Sequence, residues 1–253
     1  MFGRVLILFV AAAIALGTAA CAFADFADLR LIRVYYDRNG TEVATDLGAV
    51  HTLEQTARDG GSTTIEGAFT GLTANATTFA VYFALDRTTG VSDLWATGKV
   101  GVAHTILGGS TGLTSLKSGT SSMYALYNAN ATDGGTEYTG PAAATSSYKS
   151  KLSSTQGNLA VSINNASRVN TEASLAGVIG SETGSITQAL YFWDNALTTA
   201  ANEKIGVLAA TITTNSTGTS TIVAAPTPIP PAFLLMGSGL LGMVGLRRKS
   251  KNA

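Results

Sequence analysis

His51 and His104 are the only histidines, and imidazole is the side chain most suited to metal ligation or proton transfer near neutral pH. They lie far apart in the chain, with no H-E-x-x-H and no G-x-x-x-x-G-K-[ST] pattern around either. Each reads as a surface or turn residue, so no metal ligand and no catalytic residue is expected. Carboxylate pairs hydrolyse glycosides when two of them face across a cleft. Glu66 with Asp86 or Asp93 is the pairing available to such a hydrolase, and no local motif favours it. Asp37-Arg38-Asn39-Gly40-Thr41-Glu42 places oxygen ligands at alternating positions, as a calcium loop does, but lacks the closing Glu further on. Trp95, Trp193, Tyr35, Tyr36, Tyr82 and Tyr191 could line a sheet face as a stacking platform for sugars, although aromatics on strands more often fill cores. No cofactor motif is present.

The elements around these residues read as strands. Residues 29–37 and 41–46 flank Asn39-Gly40, the strongest short hairpin signal, and a type I′ turn is expected there. Phe79, Val81, Phe83 and Leu85 share one face of a strand, since the strand period is two. Residues 62–69, 91–97, 100–107, 159–163, 186–193 and 204–213 are further strand candidates. The pair 79–97 resembles the pair 186–213, as if two equivalent hairpins were present. Residues 108–120 are Gly/Ser/Thr-rich and loop-like, 128–145 carry turn residues, and 142–153 could form a short helix. Eight to eleven short strands predict a mainly β fold: an antiparallel β-sandwich, with a jelly roll as the second topology.

The two ends carry separate signals. Arg4 precedes an apolar run from Val5 to Leu16, and Ala22-Phe23-Ala24 has the form a signal peptidase reads, so cleavage after Ala24 is expected. Lipidation at Cys21 is the competing reading. Cleavage after Ala24 would remove the only cysteine and with it any disulfide or thiol chemistry. At the other end Pro228-Ile229-Pro230-Pro231 leads into an apolar, Gly-containing segment from Ala232 to Leu246. Arg247, Arg248 and Lys249 then form a basic stop. A helix over 232–246 would be about 22 Å long at 1.5 Å per residue. The basic cluster would stay cytoplasmic, leaving the preceding domain outside. This ordered three-part tail resembles the PEP-CTERM sorting domain, with Ile229 in place of the central Glu of that motif. The resemblance implies recognition by an exosortase-like processing protease in a Gram-negative bacterium that exports polysaccharide.

The expected organisation is therefore a signal peptide at 1–24, an extracellular domain at 25–225 and a Pro-rich sorting motif at 226–231. A transmembrane helix at 232–246 and a basic cytoplasmic tail at 247–253 complete it. Of the 16 basic residues, Arg4, Arg247, Arg248, Lys249 and Lys251 lie in the ends, whereas all 16 acidic residues lie between Asp25 and Glu203. The domain is thus mildly acidic with no Lys/Arg cluster, which argues against a nucleic-acid partner. The function expected is that of a non-enzymatic surface or extracellular-matrix protein. It would be inner-membrane anchored before processing and associated with exopolysaccharide after it. A carbohydrate-binding or adhesive module is the alternative, and a secreted hydrolase the third reading.

Overall fold

A computed structural model describes residues 26–88, 92–101, 105–106, 110–153, 159, 171–194 and 204–225. Nine strands follow one path in a single antiparallel sheet: β3 (Thr63–Ile65), β12 (Ser220–Ala224), β11 (Val207–Asn215), β9 (Ser185–Trp193), β5 (Leu94–Gly98), β4 (Thr78–Leu85), β1 (Arg30–Asp37), β2 (Thr41–Ala49) and β7 (Glu137–Pro141). A tenth strand, β8 (Ala173–Ser174), pairs β4 off this path, and β6 (Thr105–Ile106) pairs β10 (Lys204–Ile205) separately. Three α-helices are described: α1 (Val50–Gly60), α2 (Ser110–Asn130) and α3 (Tyr148–Lys151).

The sheet is mainly antiparallel, as expected, but it is one curled half-barrel in place of the two facing sheets of a sandwich or jelly roll. The curl follows from side-chain reach. β1 and β12 are five places apart, about 24 Å in a flat sheet at 4.8 Å per strand. Yet Arg33 on β1 donates to Ser220 Oγ on β12 at 2.8 Å. Only a sheet that bends back on itself brings them together.

Alternation along β1 and β4 then divides two cores. Leu31, Tyr35, Tyr82 and Trp95 point into the concave side, where α1 bridges β2 and β12. Ile32, Val34, Tyr36, Val81 and Phe83 point to the convex side, under α2 and α3. Phe79, Val81, Phe83 and Leu85 do share a face, but Ala80, Tyr82 and Ala84 opposite them are buried too. Central strands with a layer on each side read as continuous apolar runs.

The expected hairpin forms with a different turn. Gly40 N–H donates to Asp37 O at 3.1 Å, and neither Asn39 nor Gly40 adopts positive φ. Arg38 and Asn39 occupy the centre, and strand register resumes at Tyr36 opposite Glu42. The five residues between are the length at which hairpins build on ordinary type I turns. The loop expected at 108–120 lies instead within α2 for all its described part from Ser110 onward. There Leu116, Thr120, Met123, Tyr124 and Tyr127 form one buried stripe at helical spacing. The expected strand at 62–69 covers only Thr63–Ile65, and the turn region at 128–145 contains β7. Its Pro141 is tolerated because β7 is an edge strand. The two look-alike hairpins, β4–β5 and β9–β11, sit side by side through the β5–β9 pairing, with Trp95 opposite Phe192.

Over β9, β11, β12 and β3 the convex face carries one rank of cross-strand neighbours: Thr187, Thr213, Thr221 and Thr64. Thr187 and Thr64 are exposed and the other two half-buried. Among the described residues no helix is long and apolar enough to cross a membrane. The expected strand at 159–163 lies outside the described residues apart from buried Leu159.

Candidate functional site

The sheet forks where β5 stops at Gly98. Beyond that point β9 runs on to Ser185, and β4 takes β8 as its neighbour. Side chains replace the missing ladder bonds in the fork. Thr97 Oγ1 donates to Thr171 O at 2.7 Å and accepts from Tyr82 N–H at 3.1 Å. Gln188 Nε2 donates to Ala80 O and Thr171 O at 3.4 and 3.2 Å. Both contacts are carbonyls, so the amide orientation is determined, and Gln188 Oε1 is left buried without a hydrogen-bond partner.

Outside these side chains lies an open pocket of about 610 Å³. Phe79, Lys99, Val100, Glu172, Ser174, Thr187 and Gln188 are among its lining residues. Glu172 is held from two sides. Its Oε2 accepts from Arg38 Nη2 at 3.1 Å and its Oε1 from the Tyr148 hydroxyl at 3.0 Å. The Arg38 guanidinium also lies 4.3 Å from the Phe79 ring centroid, so a cation packs one side of the aromatic wall. Burial first, and then the Glu172 charge, pushes the Tyr36 and Tyr148 phenols well above their ordinary range. Both stay neutral hydroxyls at physiological pH and offer no nucleophile. The arrangement can bind and orient a polar ligand.

A second polar cluster closes the convex core. Glu42 on β2 is fully buried. Its Oε1 accepts from the Tyr127 hydroxyl at 2.6 Å and Tyr148 N–H at 2.8 Å, and its Oε2 from Lys149 N–H at 3.1 Å. Burial pushes its carboxyl up to about 7, against the three donors, which favour the charged form. The concave core holds the opposite charge. Arg33 donates to Ser220 Oγ, Gly218 O, Thr45 Oγ1 and Glu66 O at 2.8, 3.2, 3.3 and 3.0 Å. No carboxylate is among these partners. The Glu42 cluster ties β2 to α2 and α3, and the Arg33 cluster ties β1 to β2 and β12.

The residues singled out from sequence are scattered. His51 packs edge-on against Trp95, with ring centroids 5.0 Å apart, and is otherwise exposed. His104 lies outside the described residues. Glu66 accepts from Thr219 at 3.0 Å beyond edge strand β3, whereas Asp86 and Asp93 flank the central β4–β5 connection. The three do not form a facing pair. The alternating oxygens of 37–42 diverge: Asp37 accepts from Thr77 and Asn75, while Glu42 turns into the convex core. Among the described residues no group of three His, Cys, Asp or Glu could hold a metal ion. Trp95, Trp193, Tyr35, Tyr36, Tyr82 and Tyr191 are at most 5% exposed, so they form no stacking platform. Ala22, Ala24, Pro228, Ile229, Pro230, Pro231, Arg247, Arg248 and Lys249 lie outside the described residues.

Sequence reasoning passed over the Arg38–Glu172 pair, whose members are 134 positions apart with no local pattern to join them. It also passed over Gly108-Gly109-Ser110-Thr111-Gly112, which has G-x-S-x-G spacing. In hydrolases that pattern works on a strand-to-helix elbow. Here Ser110 opens α2 beside an antiparallel sheet. No family model, no curated protein and no solved structure matches this chain.

Proposed function

We propose that the chain is an exported, non-enzymatic surface or extracellular-matrix protein delivered through a PEP-CTERM-like sorting tail. The observation that carries this is the join between domain and tail. β12 ends at Ala224, and the Pro-rich segment begins at Pro226, so the sheet ends where the sorting motif starts. In this reading residues 1–24 are a cleaved signal peptide. An exosortase-like protease acts near Pro228–Pro231, and the helix at 232–246 holds the protein in the inner membrane until then. Exopolysaccharide is the surrounding material.

Intact mass spectrometry on fractionated native host cells tests this. A species beginning at Asp25, ending near Pro230 and found outside the inner membrane is expected. A mass that retains Arg247 to Ala253 and stays in the inner membrane would overturn the sorting reading. The carbohydrate-binding alternative is favoured by one observation, the Phe79-walled pocket at the fork.

A further inference from the structure

We infer that the pocket at the sheet fork binds a short stretch of polysaccharide through one or two pyranose rings. This deepens the surface-protein reading and rests on it for the source of the ligand. The site itself rests on the geometry of the fork.

The available space, about 610 Å³, falls within the range of sites that enclose small molecules. Its walls offer the two kinds of contact a pyranose needs. A sugar ring has an apolar C–H face and a rim of hydroxyls. Phe79 supplies an aromatic surface, stiffened by Arg38 on it and by Tyr36 at 6.0 Å. Glu172 lines the wall with its carboxylate held by Arg38 and Tyr148 and its side chain only 3% exposed, so it offers a ligand hydroxyl one narrow, fixed acceptor edge. The exposed residues Ser174 and Thr187 place hydroxyls at the rim. Gln188 sits behind the lining, its amide nitrogen fixed on the Ala80 and Thr171 carbonyls, and stiffens the floor of the pocket.

Other ligand classes fit less well. A phosphate ligand needs clustered basic charge, whereas the described lining carries one basic residue, Lys99, beside the acidic Glu172. A hard cation needs several oxygen anions, and among the described lining residues Glu172 is the one carboxylate. An acyl chain would leave Glu172 and Gln188 facing hydrocarbon. Glycoside hydrolysis ordinarily uses two facing carboxylates, and Glu172 is the one carboxylate among the described lining residues, so in this reading the pocket holds a glycan without cleaving it.

The test is a calorimetric or NMR titration of the full chain in detergent with two probes, a neutral gluco-hexasaccharide and a uronic-acid hexasaccharide. Binding of at least one is expected. Preference for the uronate identifies an acidic exopolysaccharide through Lys99, and preference for the neutral probe identifies a glucan-type chain. Glu172→Gln should weaken binding about tenfold, the worth of one charge-assisted hydrogen bond. Because that variant also loosens Arg38, Ser174→Trp provides a second arm. It fills the pocket from an exposed position and should abolish binding with an unchanged melting temperature. Thr64→Val, at the far end of the threonine rank from Thr187, should bind as the parent does. Failure of both probes to bind, or parent-like binding by Ser174→Trp, would overturn the inference. Export and tail processing are read separately by fractionation. A processed, external protein that binds neither probe sinks this inference alone. A glycan-binding protein retained in the inner membrane sinks the sorting reading alone.

Discussion

The concave core encloses a cation and the convex core an anion, and the two are handled differently. Arg33 meets only neutral oxygens, with the Tyr35 ring centroid 5.0 Å from its guanidinium. A guanidinium does not give up its proton in a protein, so the surrounding carbonyls and hydroxyls must stand in for water. Glu42 has three donors on its carboxylate, yet burial still pushes it to about 7. An acid has the second option of becoming neutral. The contrast makes the Arg33 cluster insensitive to pH and the Glu42 cluster sensitive to it.

The largest effect should come from Arg33→Ala. It removes the donor of the Glu66 carbonyl and the charged centre of the cluster, while Gly218 O and Ser220 Oγ keep the Tyr35 and Tyr82 hydroxyls, at a cost of roughly 3 kcal/mol by analogy with removing one partner of a buried charged cluster. Urea unfolding measures it, and a loss below about 1 kcal/mol would mean water reaches the concave core. The loss should be the same at pH 5 and pH 8.

Glu42 should behave oppositely. Its folded pKa lies above its ordinary value of 4.5, so the folded state holds the proton more tightly than the unfolded one. Its contribution is complete below pH 4.5, falls as pH rises to about 7 and is flat above. The total swing is about 3 kcal/mol at 1.36 kcal/mol per pKa unit. Glu42→Gln should remove that slope in unfolding measured from pH 4.5 to 8. A variant with the parent slope would assign the titration elsewhere.

Smallest of all, Thr213→Val on the half-exposed threonine rank should shift stability by no more than about 0.5 kcal/mol at either pH. A larger loss in thermal melts would show that this half of the face is covered in solution.

The sequence revealed strands better than it revealed their assembly. Alternation located β1, β2, β4, β5 and β9, because side-chain period is a local property. α2 escaped because Ser, Thr and Gly are poor helix formers, and tertiary packing of Leu116, Met123, Tyr124 and Tyr127 overrides that preference. Their i, i+7, i+8, i+11 spacing was the legible signal. α1 carries the same kind of mark in Val50, Glu54 and Ala57. Curvature left no local trace, so a single curled sheet read as a sandwich. The candidate site was illegible for a similar reason. Its parts come from β4, β8, β9 and the residues after β5, and they meet only because one strand ends early.

The bond from Arg33 to Ser220 joins residues 187 positions apart, on the first and last strands of the main sheet. Neither half of the chain can rehearse that contact alone, because loop closure over such a distance must come before it. Chain topology therefore makes closure of the half-barrel a late event and the whole domain a slow folder compared with helical proteins of its size. Until β12 arrives, Arg33 keeps its water, and it can shed that water only when Gly218 and Ser220 come in to replace it, which ties desolvation of the charge to the closing step.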